Sequence, residues 1–462
     1  MTKQQFGDFH KVLEDPTLWH SFGDFKNAPP LGHGNPHFLF GVATSMFQDS
    51  GATHCPESQW SDWESRCLPV NNRSGAAVNL FELYRTAPQE VIKRLKLLTV
   101  NTYRFSIEWS HLEPEQGKFN HEKLQTYVEF CKALRDHEIQ PLITLHHFSE
   151  PRWFHEMDSF EKEENIEYFR TFCKWAFKEL VQEYKGAPLV QLFCTINEPS
   201  IEANCRYVVG YFSPGLYCRF SRAARFLLNL LKAHCCVYAD LKEIAREEKR
   251  EGIKIGITHQ YLQFSPQSFF MKPVTSSLNK FHEAVLNFFK TGRFECKIPL
   301  LCNVVEECAE TLKPKADFAG VQFYGRVYLG LKGVLSLNKP QTTMQGIYED
   351  PEGLFEAIVS VHEAFNAPVI VSENGISTEC DEQRARYLSR ALYSAEQARE
   401  KIGPENMLGY IIWSFSDNFE WFLGWKPRFG AFSLTKERTL SEEYKPGVQP
   451  FVEMISAWKA SL

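Results

Sequence analysis

Eight short apolar runs, separated by stretches with helical spacing, constrain the fold of this 462-residue chain more than any other feature. They are Phe38 to Thr44, Thr102 to Ile107, Pro141 to His146, Val190 to Ile196, Ile253 to Thr258, Phe318 to Phe323, Pro368 to Ser372 and Leu408 to Trp413. Runs this short that stay apolar, without alternation, predict strands buried on both faces, the signature of a parallel sheet covered by helices. Between them, Val91, Leu95 and Leu98, and again Leu124, Tyr127, Val128, Cys131 and Leu134, recur at three- and four-residue intervals, which predicts amphipathic helices. Strand then helix, eight times over, predicts an α/β fold closed as a (β/α)8 TIM barrel.

Length alone would suggest two or three domains, but barrels run long as single units. No Pro/Gly/Ser-rich linker or fixed-period repeat divides the chain, so residues 1–462 are read as one domain, with 1–35 an N-terminal extension packed on the barrel. The charge run Arg246 to Glu251 reads as a solvated helix end before the fifth strand. Gln260 to Pro314 and Gly325 to Gly353 exceed ordinary connections and are expected to pass over the barrel mouth, shaping substrate entry.

Hydrophobic residues make up 44% and charged residues 23% of the chain, with 38 Phe, 17 Tyr and 10 Trp, so a large core with aromatic linings is expected. A formal charge of −6 gives no electrostatic reason to expect nucleic acid or an anionic membrane as partner. Met1 to Pro30 has no apolar leader core, and no stretch of about 18 apolar residues could span a membrane, so a cytoplasmic location is expected. The 13 cysteines lack metal-like pairing, and Cys131 and Cys194 sit in apolar runs, so they read as reduced packing residues. Core packing is also the expected role of adjacent Cys235 and Cys236. Asn72-Arg73-Ser74 matches a glycosylation pattern that carries no meaning without secretion.

In a barrel of this kind the loops after the strands form the site, so polar residues at strand ends are the candidate machinery. Phe193-Cys194-Thr195-Ile196-Asn197-Glu198-Pro199 ends one strand with an amide and a carboxylate, and Val371-Ser372-Glu373-Asn374-Gly375 ends another with a second carboxylate. Paired carboxylates suit glycosidic cleavage, because one hands a proton to the leaving oxygen while the other attacks or stabilises the sugar carbon from the opposite side. The acid needs a raised pKa and the partner must stay ionised, a task for which Arg104 is suitably placed after the second strand. Taken singly, Glu198 reads as a helix N-terminal carboxylate and Arg104 as a structural ion-pair partner.

Together these motifs resemble glycoside hydrolase family 1, the β-glucosidase family, over nearly the whole chain. The resemblance rests on Phe40-Gly41-Val42-Ala43-Thr44-Ser45 with Gln48, Tyr103 to Ser110, Thr144-Leu145-His146-His147 and both glutamate motifs. It closes at Trp413-Ser414-Phe415-Ser416-Asp417-Asn418-Phe419-Glu420-Trp421 and Arg428-Phe429-Gly430. It implies Glu198 as acid/base and Glu373 as nucleophile, with a covalent glycosyl-enzyme hydrolysed with retention. It also implies that Gln48, His147, Asn197, Glu420 and Trp421 surround the sugar, that Trp413 is its aromatic platform, and that Tyr324 hydrogen-bonds the nucleophile. Asn197 would contact the 2-hydroxyl. No cofactor or metal is implied, since acid, base and nucleophile are all side chains.

The resemblance also implies that relatives acting on 6-phosphorylated sugars replace the region around Glu420 with Ser, Lys and Tyr phosphate binders, whereas a carboxylate repels a phosphate, so an unphosphorylated β-glycoside is the expected substrate, small or oligosaccharide. Glucose, galactose and fucose stay open, because Glu420 can accept from either orientation of a 4-hydroxyl. A 6-phospho-β-glycosidase, a catalytically weak sugar-binding homologue and a transglycosylase are the alternatives. Several positions depart from the usual family text: Asp49-Ser50-Gly51 after Gln48, His111, Phe148-Ser149, and Gln322 before Tyr324. Cys55-Pro56-Glu57-Ser58-Gln59-Trp60 with Trp63 reads as a variant loop near the glycone. Glu373→Ala is expected to abolish turnover and leave folding intact, as for a carboxylate in a solvated mouth.

Overall fold

The computed structural model describes residues 28–309, 313–330, 333–334, 343 and 347–462. All eight apolar runs are strands: β1 (Leu39–Ala43), β2 (Thr102–Ser106), β3 (Gln140–His146), β4 (Leu192–Ile196), β5 (Lys254–Gln260), β6 (Phe318–Phe323), β7 (Val369–Asn374) and β8 (Met407–Trp413). They close on one another in chain order, β1 pairing with both β2 and β8, and each pairing is parallel. The fold is the (β/α)8 barrel that the pattern predicts.

The lack of polar alternation has its cause in two separate layers. Leu142, Leu192, Cys194, Phe318, Ile370 and Ile411 point inward and fill the barrel. Intervening residues such as Phe193, Val321, Val369 and Val371 point outward into the core shared with the helices. Each fully buried aliphatic side chain of this kind stabilises the fold by about 1.5–3 kcal/mol.

Eight helices form the outer ring: α1 (Pro88–Leu97), α2 (His121–Asp136), α3 (Ile166–Leu180), α4 (Phe220–Glu247), α5 (Lys272–Thr291), α6 (Gly353–Phe365), α7 (Asp381–Ile402) and α8 (Gln449–Ala460). In α2 the Asn120 side chain accepts from the Lys123 amide at 3.0 Å and so starts the helix, while Leu124, Tyr127, Val128, Cys131 and Leu134 are all buried. Past the end of α4, Glu248 and Lys249 are exposed, as the charge run predicts.

Of the expected extension 1–35, residues 1–27 lie outside the described residues. The remainder packs on the last helices: the Gly32 amide donates to Glu396 of α7 at 3.0 Å, and Trp458 of α8 donates to the Asn35 carbonyl at 3.0 Å.

The expectation for Gln260 to Pro314 needs correction. Only its first part crosses the mouth; the rest is α5 and an antiparallel hairpin, Arg293–Ile298 with Cys302–Glu307, on the flank of the barrel. The apolar spacing of Phe281, Ala284, Val285 and Phe288 marks α5 as a barrel helix, since all four are buried. Of Gly325 to Gly353, much lies outside the described residues; the strand Val327–Gly330 pairs with Phe264–Pro266 above the mouth. Among the described residues no helix is long and apolar enough to cross a membrane.

Candidate active site

Glu198 stands where β4 turns into the helix Pro199–Tyr207, and proline at the first helical position explains the Asn-Glu-Pro order. The glutamate is the residue before the helix, yet its side chain makes no capping hydrogen bond. Its backbone is left-handed, with φ 43°, a conformation that costs a non-glycine residue energy and is held by the surrounding structure. The carboxyl is thereby released from a capping role and lines the cavity at the barrel mouth, of about 350 Å³, with Oε1 making no hydrogen bond to protein.

Glu373 enters the same cavity from β7. The β6–β7 pairing skips Ser372, so Gln322 sits opposite Glu373, and the irregularity re-aims the glutamate inward. Gly375 follows because the loop presses on β8: a Cβ there would lie 2.2 Å from the Trp413 carbonyl oxygen. Asn374 anchors the same turn, donating to the Phe323 carbonyl at 2.6 Å and accepting from Tyr410 at 2.6 Å.

The two carboxyls lie in unlike surroundings. Arg104, fully buried on β2, donates to Oε1 of Glu373, and Tyr324 donates to its Oε2. Burial raises the Glu373 carboxyl, but Arg104 and the Tyr324 hydrogen bond oppose the rise. Glu198 has no such support: burial first, then the neighbouring Glu373 charge, push it well above the carboxylate range, with Arg104 opposing and Glu420 adding to the rise. When the pair shares one proton, that proton belongs on Glu198.

Asn197 is fixed by three donors on one oxygen. Its Oδ1 accepts from Arg104 at 2.7 Å, Thr258 at 3.0 Å and Gln322 at 2.9 Å. Arg104 only donates, so the amide orientation is settled by the network. Nδ2 makes no hydrogen bond to protein, and Asn197 lines the cavity. The same holds for Oε1 of Gln48 and Nδ1 of His147. Buried polar atoms without partners are costly, and their convergence on one cavity marks a place where a polar ligand supplies them.

Gln48 also donates to Glu420 at 3.0 Å, and burial followed by the Glu373 charge raises the Glu420 carboxyl to about 8. His147 lies between two indoles, 6.0 Å from Trp413 and 6.2 Å from Trp421 between ring centroids. Burial lowers its pKa, so the ring is neutral. Its neighbour His146 points the other way and bonds Glu202 at 2.9 Å, as alternation along a strand demands. All ten candidate residues converge: nine line the cavity, and Arg104 touches two of those nine.

The departures from the family text have structural roles here. Gln322 is one of the donors to Asn197. Asp49 accepts from the Ser45 amide at 3.2 Å and from Ser416 at 3.2 Å, tying the loop after β1 to the loop after β8; burial raises its carboxyl to about 7. His111 is buried with its ring edge against Phe81, 4.3 Å between centroids. The Phe148 carbonyl accepts from Gln59 at 2.8 Å and from Trp60 at 3.0 Å, and Ser149 donates to buried Glu108 at 2.7 Å.

The expected variant loop is helical from Gln59 to Cys67, and this helix builds the wall behind Trp421. Trp60 lies 4.7 Å from Trp421 and 4.9 Å from Phe212 between centroids, and Trp63 donates to the Tyr211 carbonyl at 2.9 Å. Sequence reading passed over Thr258, Phe212 and Phe429. Thr258 ends the predicted fifth strand run, which could have marked it. Phe212 lies in a loop without signal, and Phe429, which packs on Tyr324 at 5.5 Å, belongs to the Arg428-Phe429-Gly430 motif. Gly430 beside it is required, since a Cβ would fall 1.9 Å from the Asp417 amide nitrogen. No group of three or more His, Cys, Asp or Glu among the described residues could hold a metal ion.

A barrel carrying two carboxylates of opposed environment above its strand ends has the arrangement that glycoside hydrolysis uses. The family model for glycosyl hydrolase family 1 matches residues 34–329 and 330–457, and the chain belongs to that family. β-Glucosidase 24 of Arabidopsis thaliana is 26% identical across 91% of this chain and 89% of its own length. β-Glucosidase A of Thermotoga maritima is 26% identical across 85% of this chain and 91% of its own. Among solved structures, the β-glycosidase from Pyrococcus horikoshii matches with a TM-score of 0.77 and 29% identity, covering 93% of this chain and 96% of that one.

Proposed function

We propose that the protein is a retaining exo-β-glycosidase that hydrolyses unphosphorylated β-D-glucosides, with galactosides and fucosides as further candidates. Glu198 protonates the glycosidic oxygen as the C1–O bond breaks and a carboxylate oxygen of Glu373 bonds to C1, releasing the aglycone alcohol. Water, deprotonated by Glu198, then attacks C1, breaks the bond to Glu373 and leaves the sugar with its β configuration. Asn197 holds the 2-hydroxyl, while Gln48, His147, Glu420 and Trp421 bind the remaining hydroxyls and Trp413 packs on the ring face. The observation that carries this reading is the asymmetry of the two glutamates, one bonded by Arg104 and Tyr324, the other with a free oxygen in the same cavity.

Support for a plain glycone is that no Lys or Arg is among the described residues lining the cavity, and a phosphate needs such a partner. β-Glucosidase names among the relatives favour glucose. We place the protein in the cytoplasm as a single domain over residues 1–462; all thirteen cysteines being free supports a reducing compartment. The test is a 2-deoxy-2-fluoro-β-glucoside with a good leaving group, followed by peptide mass analysis. A fluoroglucosyl adduct on Glu373 is expected. Hydrolysis with no adduct, or turnover of 6-phosphoglucosides alone, overturns the reading.

A further inference from the structure

The cavity has two ends of different chemistry. Gln48, His147, Asn197, both catalytic glutamates and Glu420 gather at the inner end. The rest of the lining is mostly apolar, with Val209, Leu262, Phe264 and Leu278, and Leu423 at the edge; Asn204 and Gln260 are its polar members. An oligosaccharide continuing outward would bring several hydroxyls against these walls, and hydroxyls desolvated without partners bind poorly.

Outside the cavity the apolar surface continues. Val274 and Leu278 lie four residues apart on α5, and Phe270 stands four residues before Val274 in the 3-10 turn Phe269–Met271 that leads into the helix, so the three continue one stripe. Helices of the barrel run opposite to its strands, which puts this end of α5 at the mouth. Phe269 and Phe270 are 76% and 77% exposed and Val274 is 45% exposed, large apolar groups held in water with no core to join. Across the opening, Tyr211 and Phe422 stack at 4.7 Å, and Tyr211 and Leu423 are both exposed. Contiguous exposed apolar surface rimming a binding cavity marks a binding surface.

We propose that the outer cavity and this stripe receive a long aliphatic aglycone, so that the substrates are amphiphilic β-glycosides: a sugar joined through its glycosidic oxygen to a hydrocarbon chain. The sugar occupies the polar end, and the chain leaves over Leu278, Val274 and Phe270. This inference rests on the proposed hydrolase reading for its reaction, but the chain site is a matter of binding and is testable without turnover.

The experiment measures dissociation constants of methyl, butyl and octyl 1-thio-β-glucosides by calorimetry, below their micellar concentrations, because thioglycosides bind without being cleaved. Each buried methylene is expected to tighten binding about two- to fourfold, given the usual gain per methylene removed from water. In Leu278→Ser and Val274→Ser the methyl-to-octyl ratio of dissociation constants is expected to fall towards one, with the double variant flattest. Equal dissociation constants for octyl and methyl, or an octyl gain untouched in the double variant, overturn the chain site. In parallel, kcat/KM for octyl glucoside is expected to exceed that for cellobiose at least tenfold; a preference for cellobiose also overturns it. If no glycoside turned over while the thioglucoside series kept its slope, the hydrolase reading would fall and the chain site would stand.

Discussion

Gln322 donates through Nε2 to Oδ1 of Asn197 at 2.9 Å, and Arg104 and Thr258 donate to the same oxygen, which leaves the Asn197 amide nitrogen without a protein partner at the cavity. Gln322→Leu keeps the volume and removes the donor. The expected cost on kcat/KM for a β-glucoside is about tenfold, the value of one hydrogen bond of about 1.4 kcal/mol. A 2-deoxyglucoside, which has no hydroxyl for Asn197 to hold, should lose much less. Equal losses on both substrates would show that Gln322 acts only on folding.

Glu373 is 3% exposed and paired with fully buried Arg104, which corrects the expectation of a carboxylate in a solvated mouth. Removing one partner of a buried pair leaves the other charge uncompensated, at a cost of about 3–5 kcal/mol. Glu373→Ala should therefore abolish turnover and also lower the melting temperature. Glu373→Gln, which still accepts from Arg104, should be equally inactive with a smaller thermal loss. Thermal unfolding of the two variants beside the parent separates the effects; activity surviving in Glu373→Gln would overturn its role as nucleophile.

The barrel was legible because its cause is local. Each strand must be apolar on both faces, which shows as an unbroken run, and the run edges agree with the strands to within two residues. The site residues were legible as strand-end motifs, Glu198 before Pro199 and Glu373 before Asn374 and Gly375. What distinguishes the two glutamates was not, since it depends on β2 bringing Arg104 across the barrel and on the register shift that skips Ser372. The wall behind Trp421 was hidden for the same reason. Trp60, Phe148 and Phe212 come from three separate segments of the chain, one of them the helix Gln59–Cys67, and meet only in the fold.

With Glu198 as the proposed acid, its raised carboxyl is expected to set the alkaline side of the pH profile. An isolated glutamate titrates near about 4.3, so kcat/KM should stay high well above that value and fall as Glu198 loses its proton. In Glu198→Gln the alkaline limb should disappear. A 2,4-dinitrophenyl glucoside, whose leaving group needs no proton, should retain its first-step rate to within about tenfold, whereas an alkyl glucoside should lose about 10²–10⁴-fold. A variant with an unchanged alkaline limb would assign that limb to another group.

Glu420 makes a separate prediction about stability. Burial, then the charge of Glu373, raises its carboxyl to about 8 in the folded protein, against about 4.3 unfolded. Folding therefore favours the protonated form: the contribution is complete below about pH 4 and is lost as pH rises through about 8. Asp49, raised to about 7, acts in the same direction over a slightly lower range. The melting temperature of the parent, less that of Glu420→Gln, should decline between pH 5 and about 8, because the amide keeps a neutral group at that position at every pH. Melting curves of both proteins across that range, without ligand, provide the check. A difference that stayed flat from pH 5 to about 8 would mean that Glu420 is already charged in the empty site, and that Gln48 at 3.0 Å outweighs the burial.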